Sequence, residues 1–392
     1  MEVRKTISDL ASENKTLTCF AGAGVYDHYL PSVIPYIASR SEFSTSYTPY
    51  QAEISQGTLR YIFEFQSMIA TLTGMDCANA SMYDGATAAA EAMMMAMAAT
   101  RKKTRVLLSS TLLPQVREVI HTYAKYHGVE LSEIASADGQ TDIDDARRLL
   151  EAGDVAGVLV PSVNRFGIVE DLSGFAEAAH AQKALLMVYA DPSALAVVRT
   201  PGEWGADVAC GDAQTLGIPL GFGGPYVGFL ACSKEHVRKL PGRIVGATTD
   251  VDGKRAFVLT LQAREQHIRR EKANSNICSN QSLMALYVTI YLSLMGKKGL
   301  RQVSDLSYGA AHYLHDRLIE TGLFSEAFNR PFLKEFALHT DIPADRLQQA
   351  LLDGGFFGAL PTEEGLVTFC ATERRTREEI DRMIDLIKQI QL

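Results

Sequence analysis

Four stretches of this sequence gather residue types that could do chemistry. In SMYDGATAAAEA (81–92) a strand-like segment runs into an Ala/Met-rich helix. The N–H groups of Gly85, Ala86 and Thr87 therefore stand at the positive end of a helix, where a phosphate would sit. Asp84 or Ser81 could equally cap that helix, an Asp filling the anion's place with its own charge. VYADPSAL (188–195) sets Asp191 at the C-terminal end of a strand, where open α/β sheets collect ligands, although an Asp-Pro turn is a plainer use of the same residues. The loop CGDAQTLGIPLGFGGPYVGF (210–229) lies between two apolar runs and is rich in Gly and Pro, as in loops that bring backbone close to a ligand. An imine-forming lysine would be looked for there, but the position holds Gln214. No lysine occurs between Ala184 and Ser233, so this loop cannot form a Schiff base.

The fourth stretch is PGRIVGATTD (241–250) with LTLQAREQHIRREKANSNICSNQ (259–281). It concentrates Arg243, Arg264, His267, Arg269, Arg270, Glu271, Lys272, Asn274 and Asn276. Arginine forks suit carboxylates, whether of an amino acid or of an acidic partner, and a solvated, internally paired face would also have this composition. Upstream, residues 20–57 are rich in Tyr, Pro and Gly with little periodicity. The run Tyr47, Thr48, Pro49, Tyr50, Gln51 reads as a site-lining loop. His28 and His267, taken singly, read as structural histidines.

These groups must be held by regular elements, and from residue 58 the chain alternates helical and strand-like periods. TLRYIFEFQSMIATLTG (58–74) puts Ile62, Phe65, Ile69 and Leu72 on one stripe and predicts a stop at Gly74. ATAAAEAMMMAMAAT (86–100) is apolar on nearly all sides, which predicts a buried helix. Strands are predicted at RVLLSS, AGVLVPSV, ALLMVYA, ADVAC and YVGFLAC. Helices are predicted between them at LPQVREVIHTYAKYHG, DIDDARRLLEAG and GFAEAAHAQK. Continuous apolar strands separated by helices predict a mostly parallel sheet covered on both faces. Beyond about residue 295 comes a long helix (roughly 299–321), then β, helix, strand, and a last helix opening on a Thr-x-x-Glu capping box at Thr376. The expected division is an arm with site-lining loops over 1–57, a large α/β domain over 58–295 and a small α+β domain over 296–392.

The 392 residues, 47% of them apolar, can fill two cores. A net charge of −8 argues against a nucleic-acid binder. The start MEVRKTISDL lacks an apolar targeting core, and no apolar run is long enough to span a bilayer, so a cytoplasmic protein is expected. The six cysteines show no C-x-x-C spacing, so neither a metal site nor a disulfide framework is expected.

Together, GAGVYDHYLP, SEFSTSYTPYQAEISQGTLRYIFEFQ, LTGMDCANASMYDGATAAAEA, GDAQTLGIP, PGRIVG, FVLTLQAREQHIRREKANSNICSNQ and CATERRTREEI closely resemble the α chain, subunit 1, of two-chain glycine dehydrogenase (decarboxylating), the P-protein of the glycine cleavage system. The resemblance covers nearly the whole chain. It implies an α/β fold of the fold-type I, pyridoxal-phosphate-dependent transferase kind, with a large domain on a mostly parallel sheet plus a small C-terminal α+β domain. It also implies a partner, subunit 2 or β chain, whose lysine bears pyridoxal phosphate in a His-Lys-Thr-Phe loop. Gln214 stands here in that lysine's place, and the family's helical N-terminal extension reads as short.

The complex would decarboxylate glycine and pass the aminomethyl group to the lipoyl group of H-protein. On this reading Tyr47, Thr48, Pro49, Tyr50, Gln51, Arg243, Arg264, His267 and Asn276 line the partner's site. Asp84, Gly85, Thr87, Asp191 and Gln214 are vestigial cofactor positions, with no covalent cofactor and no metal in this chain. The isolated chain would be inactive and could pair with itself through its uncovered interface. One alternative is a stand-alone pyridoxal-dependent lyase or transaminase using Lys234, Lys239 or Lys272, all beyond the strand that follows the loop. The other is a purely structural partner that touches no substrate.

Overall fold

The computed structural model describes residues 1–392 apart from Thr48, Arg101, Asn274, Glu364, Gln391 and Leu392. The chain forms two compact units, one of residues 23–304 and one of residues 1–22 with 305–392.

The larger unit is built on a seven-stranded sheet of β1 (Cys77–Ala78), β2 (Arg105–Ser109), β3 (Glu130–Ile134), β4 (Val155–Pro161), β5 (Leu185–Tyr189), β6 (Val208–Asp212) and β7 (Gly228–Cys232). Their spatial order is β1-β7-β6-β5-β4-β2-β3. Neighbours from β3 to β6 run parallel, and β7 runs antiparallel to both β6 and β1. Helix α1 (Gln56–Thr73) precedes the sheet, and α2 (Gly85–Thr100), α3 (Pro114–His127), α4 (Ile143–Leu150) and α5 (Phe175–Ala181) connect its successive strands.

The apolar runs follow from burial on both faces. In β5, Leu186 and Val188 join one core with Phe65, Ile69 and Phe229, while Met187 and Tyr189 join the other with Ala89, Met93 and Leu230. Side chains alternate across a strand, so a strand covered on both sides must be apolar throughout. Each such side chain contributes roughly 1.5–3 kcal/mol on burial. The predicted helix stop is present: Gly74 takes φ 70 and donates its N–H to Ala70 O at the end of α1. The Ala/Met helix α2 buries nine residues, five of them Ala.

A two-stranded antiparallel hairpin, β8 (Ile244–Thr249) with β9 (Arg255–Thr260), follows the sheet. It was not read from the sequence, although the turn chemistry is visible there: Asp250 donates to Lys254 O, and Gly253 takes φ 77. Next, the helical run α6 (Ser282–Glu320) is interrupted at Gly296, whose φ 55, ψ −173 no helix accepts.

The smaller unit holds a four-stranded antiparallel sheet of β10 (Phe324–Glu326), β11 (Glu335–Thr340), β12 (Leu360–Glu363) and β13 (Leu366–Cys370), in the order β10-β11-β13-β12. Helices α7 (Ala344–Asp353) and α8 (Arg377–Ile387) pack on it around Phe336, Leu351, Phe369 and Ile384. At the start of α8 the capping box is complete: Glu379 N donates to Thr376 Oγ1 and Thr376 N to Glu379 Oε2. Residues Glu2–Ser12 form a helix with no buried side chain, and Thr18–Phe20 pairs in parallel with Phe356–Gly358. Among the described residues, no helix is long and apolar enough to cross a membrane, and no group of three or more His, Cys, Asp or Glu side chains could hold a metal ion.

Candidate functional site

Gly85, Asp191, Asp212 and Gln214 meet at the C-terminal edge of β5 and β6, in front of α2. Asp84 caps α2 by accepting from Thr87 N at 2.8 Å. The next donor, Gly85 N–H, is taken by Asp212, whose Oδ2 accepts it at 2.9 Å while its Oδ1 accepts from Gln214 N at 2.8 Å. Asp212 ends β6, opposite Gly228 of β7. Sequence reasoning passed over it, although it stands two residues before the missing lysine, at the end of an apolar strand. Gly85 is obligatory here, because a Cβ would fall 2.6 Å from Tyr189 Oη and 2.7 Å from Asp212 N. Burial, with Asp84 and Asp191 adding repulsion, pushes the Asp212 carboxyl up to about 7. Asp191 accepts from Ser193 N at 3.0 Å, from Ser193 Oγ at 2.9 Å and from Thr215 Oγ1 at 3.1 Å.

Gln214 is buried and uses both ends of its amide. Its Oε1 accepts from Tyr26 N at 2.9 Å, and its Nε2 donates to Tyr26 O at 2.9 Å and to Ile218 O at 2.8 Å. The side chain in the lysine's place thus ties the 210–229 loop to the GAGVYDHY segment. Beside it, Glu170 is buried and accepts from Thr111 Oγ1 at 2.6 Å, Asn164 Nδ2 at 2.8 Å, Thr141 Oγ1 at 2.5 Å and Thr141 N at 3.2 Å. The space left between Tyr26, Asn164, Tyr189, Asp191, Asp212 and Thr215 is about 20 Å³. That is room for about one water, whereas small-molecule sites run to roughly 300–1,000 Å³.

Pyridoxal phosphate would ask of such a seat an amine, free N–H groups for its phosphate, and space. Position 214 offers an amide, the first N–H of α2 is engaged by a carboxylate, and the cavity is nearly filled. The residues of this chain do not fit the cofactor. Of the other lysines considered, Lys234 and Lys239 lie past β7 and Lys272 in the segment after β9.

The aromatic and arginine-rich stretches form a second group. The Arg243 guanidinium lies 4.2 Å from the Tyr50 ring centroid, pairs with Glu265 Oε2 at 3.2 Å and donates through Nε to Cys278 O at 3.0 Å. Tyr50 Oη donates to Asn280 Oδ1 at 2.6 Å, and His267 Nδ1 stands 3.5 Å from Glu265 Oε2. Arg264 donates to Leu240 O, and burial lowers its pKa. Its Nε and Nη2, with Glu265 Oε1, are buried without a hydrogen bond. Tyr47 is 93% exposed, and Gln51 is exposed too. Pro49 is buried, and Thr48 and Asn274 lie outside the described residues.

Asn276 lines a different space, a cavity of about 580 Å³ walled by Tyr83, Glu91, Tyr123 and Ser275. Glu91, on the second turn of α2, is 3% exposed, and burial pushes its carboxyl up to about 7, with the Ser275 hydroxyl opposing the shift. No reading of the sequence marked it, since it sits in an otherwise apolar helix.

The mostly parallel sheet, with this loop after β6, defines the class. The chain has the fold of the fold-type I pyridoxal-phosphate-dependent enzymes, shared at TM-score 0.69 and 17% identity with an alanine–glyoxylate aminotransferase from Nostoc sp., over 96% of each chain. Within that class, the family model for the glycine cleavage system P-protein matches residues 1–387, and the chain belongs to that family. It is 50% identical to a probable glycine dehydrogenase (decarboxylating) subunit 1 of Moorella thermoacetica over 99% of this chain and 88% of that protein. Against the protein of the same description from Geobacillus kaustophilus it is 48% identical, over 98% and 87%. A crystal structure of glycine decarboxylase, the P-protein of the glycine cleavage system, in inhibitor-bound form superposes with TM-score 0.95 at 44% identity, covering 99% of this chain and 89% of that one.

Proposed function

We propose that this chain is subunit 1 of a two-chain glycine decarboxylase. In that complex the second subunit carries the pyridoxal phosphate, and glycine gives up its carboxylate as CO2 while its aminomethyl group passes to the lipoyl group of H-protein. The observation that carries the reading is Gln214, a neutral amide wholly engaged with Tyr26 and Ile218 where an imine-forming lysine would stand. No step of the chemistry is assigned to a cofactor in this chain. Family membership and the relatives' description as one subunit of an enzyme support the division of labour.

Within the complex, Tyr47, Pro49, Tyr50, Gln51, Arg243, Arg264, His267 and Asn276 wall the partner's site. Three features support this assignment: Tyr47 is almost fully exposed, Arg243 presents a guanidinium stacked on Tyr50, and Arg264 and Glu265 keep hydrogen-bonding atoms unused within the chain. An arginine fork held by stacking and by Glu265 can orient a carboxylate without needing to move. The expected compartment is the cytoplasm.

The test is reconstitution with subunit 2 and lipoylated H-protein, measuring glycine-dependent exchange of bicarbonate into the glycine carboxyl. Subunit 2 alone should be inactive, and adding this chain should restore exchange. Full exchange by subunit 2 alone would overturn the reading.

A further inference from the structure

We propose that Asp212 fills the phosphate seat: its carboxyl group stands at the N-terminus of α2, so that this chain excludes phosphate-bearing ligands by occupation and not merely by lacking a lysine. The inference deepens the proposed reading, since it concerns the silent counterpart of the partner's cofactor seat.

Three observations carry it. First, Asp212 bridges the two N–H groups that face each other across the seat, Gly85 of α2 and Gln214 of the loop, at 2.9 and 2.8 Å. A helix N-terminus attracts an anion wherever one can reach it, and here the chain supplies its own. Second, the packing leaves no room for another. Tyr189 Oη and the Asp212 backbone close on Gly85 so tightly that even one carbon there would clash, and the cavity next to Asp212, between Tyr189, Asp191 and Thr215, holds only about 20 Å³. Third, the neighbouring ionisable side chains are acidic. Asp84 and Asp191 lie close enough to raise the Asp212 carboxyl, and the lining of the small cavity next to it includes neither lysine nor arginine. A phosphate dianion entering there would meet carboxylates, where pyridoxal-phosphate sites need donors and cations.

Two expectations separate occupation from simple loss of the amine. Replacing Gln214 by lysine alone should not create a cofactor site, because the seat stays filled. Opening the seat through Asp212→Ser should free the Gly85 N–H and leave a gap that an anion can enter. Asp212→Asn keeps the side-chain bulk and one of the two acceptor oxygens, and should keep the seat closed.

The experiment titrates inorganic phosphate, then pyridoxal phosphate, against the full chain, reading thermal unfolding and equilibrium dialysis. Borohydride trapping with peptide mapping follows for the Gln214→Lys variants. Wild type and Asp212→Asn should show no saturable binding. Asp212→Ser should bind phosphate at least ten-fold more tightly than wild type, with a melting temperature that rises with phosphate concentration. Only Asp212→Ser combined with Gln214→Lys should give an adduct mapping to position 214.

Saturable phosphate binding by wild type would overturn the inference. So would a folded Asp212→Ser chain that gains none, Asp212→Asn gaining as much as Asp212→Ser, or Gln214→Lys alone forming the adduct. Should Asp212→Ser fail to fold, wild type, Asp212→Asn and Gln214→Lys still decide. Exchange activity of the reconstituted complex tests the proposed function separately, so either reading can fail without the other.

Discussion

The seat around Asp212 and the cavity around Glu91 both place a carboxylate against α2, yet they are finished in opposite ways. At the seat, Asp212 meets backbone N–H groups and Gln214 uses three hydrogen bonds, and only about 20 Å³ remains open. Around Glu91 about 580 Å³ stays open and the carboxyl has the Ser275 hydroxyl as its opposing dipole, while in the arginine-rich segment Arg264 and Glu265 keep unused atoms. Buried polar groups are nearly always satisfied, so unfinished ones point to something that completes them. The first place is closed from within, whereas the second is left open. That difference is what the proposed subunit role would produce.

The closed side should break hardest at Glu170, the buried acceptor of Asn164, which lines the small cavity next to Asp212. Glu170→Ala would take an acceptor from Thr111 Oγ1, from Thr141 N and Oγ1 and from Asn164 Nδ2, leave a cavity in a buried place, and should cost about 4 kcal/mol in urea unfolding. Glu170→Gln, keeping one acceptor, should cost less. A loss below about 1 kcal/mol for the alanine variant would mean the network is not what seals the seat.

The open side should show itself in pH dependence. Burial raises the Glu91 carboxyl from its ordinary 4.5 to about 7, so between those values the folded chain holds a proton that the unfolded chain has released. Stability therefore falls as pH rises through this window, by about 3 kcal/mol in full, and is flat below and above it. Glu91→Gln should remove that slope and leave the chain more stable than wild type at pH 8, by up to the same amount, with no gain at pH 4. Asp212 adds a slope of the same sign, its carboxyl rising from 3.8 to about 7, which persists in Glu91→Gln and disappears in the double variant with Asp212→Asn. An unchanged slope in Glu91→Gln would show that the cavity hydrates its carboxylate fully.

Gln214→Ala sharpens the closed side again with a smaller effect. It removes one accepted and two donated hydrogen bonds, taking partners from Tyr26 and Ile218, and should cost about 2 kcal/mol. Gln214→Lys keeps a donor but abandons the Tyr26 N–H, so its loss should fall between those of wild type and alanine.

The sequence showed much of the sheet, because β4, β5, β6 and β7 are apolar on both faces and that pattern needs no partner to be legible. It also showed α8, whose Thr376–Glu379 box is purely local. The two-residue β1 and the polar edge strand β3 carry too few apolar positions to stand out, and Ile244–Thr260 was read as chemistry because its charges mask a hairpin. At the seat the missing lysine was legible and the added carboxylate was not. A deletion of function is visible in a single position, while Asp212 matters only through contact with Gly85, 127 residues away in sequence. Glu91 was hidden for the same reason, its cavity being walled by segments from three parts of the chain.

The smallest change in stability tests the largest claim about the open side. Tyr47 is 93% exposed and its ring packs on nothing that unfolding would release, so Tyr47→Ala should shift stability by less than about 0.5 kcal/mol. In the reconstituted complex the same variant should lower glycine–bicarbonate exchange at least ten-fold if the Tyr47–Gln51 loop walls the partner's site. Arg243→Lys should behave likewise, since lysine keeps the charge but loses the planar fork stacked on Tyr50 and shared with Glu265 and Cys278 O. Normal exchange in both variants, with the complex still assembled, would leave this chain as a scaffold that contributes surface and no chemistry. An exchange defect in Tyr47→Ala without loss of assembly has no structural explanation inside the isolated chain, and that is why this residue, rather than a buried one, separates the two roles.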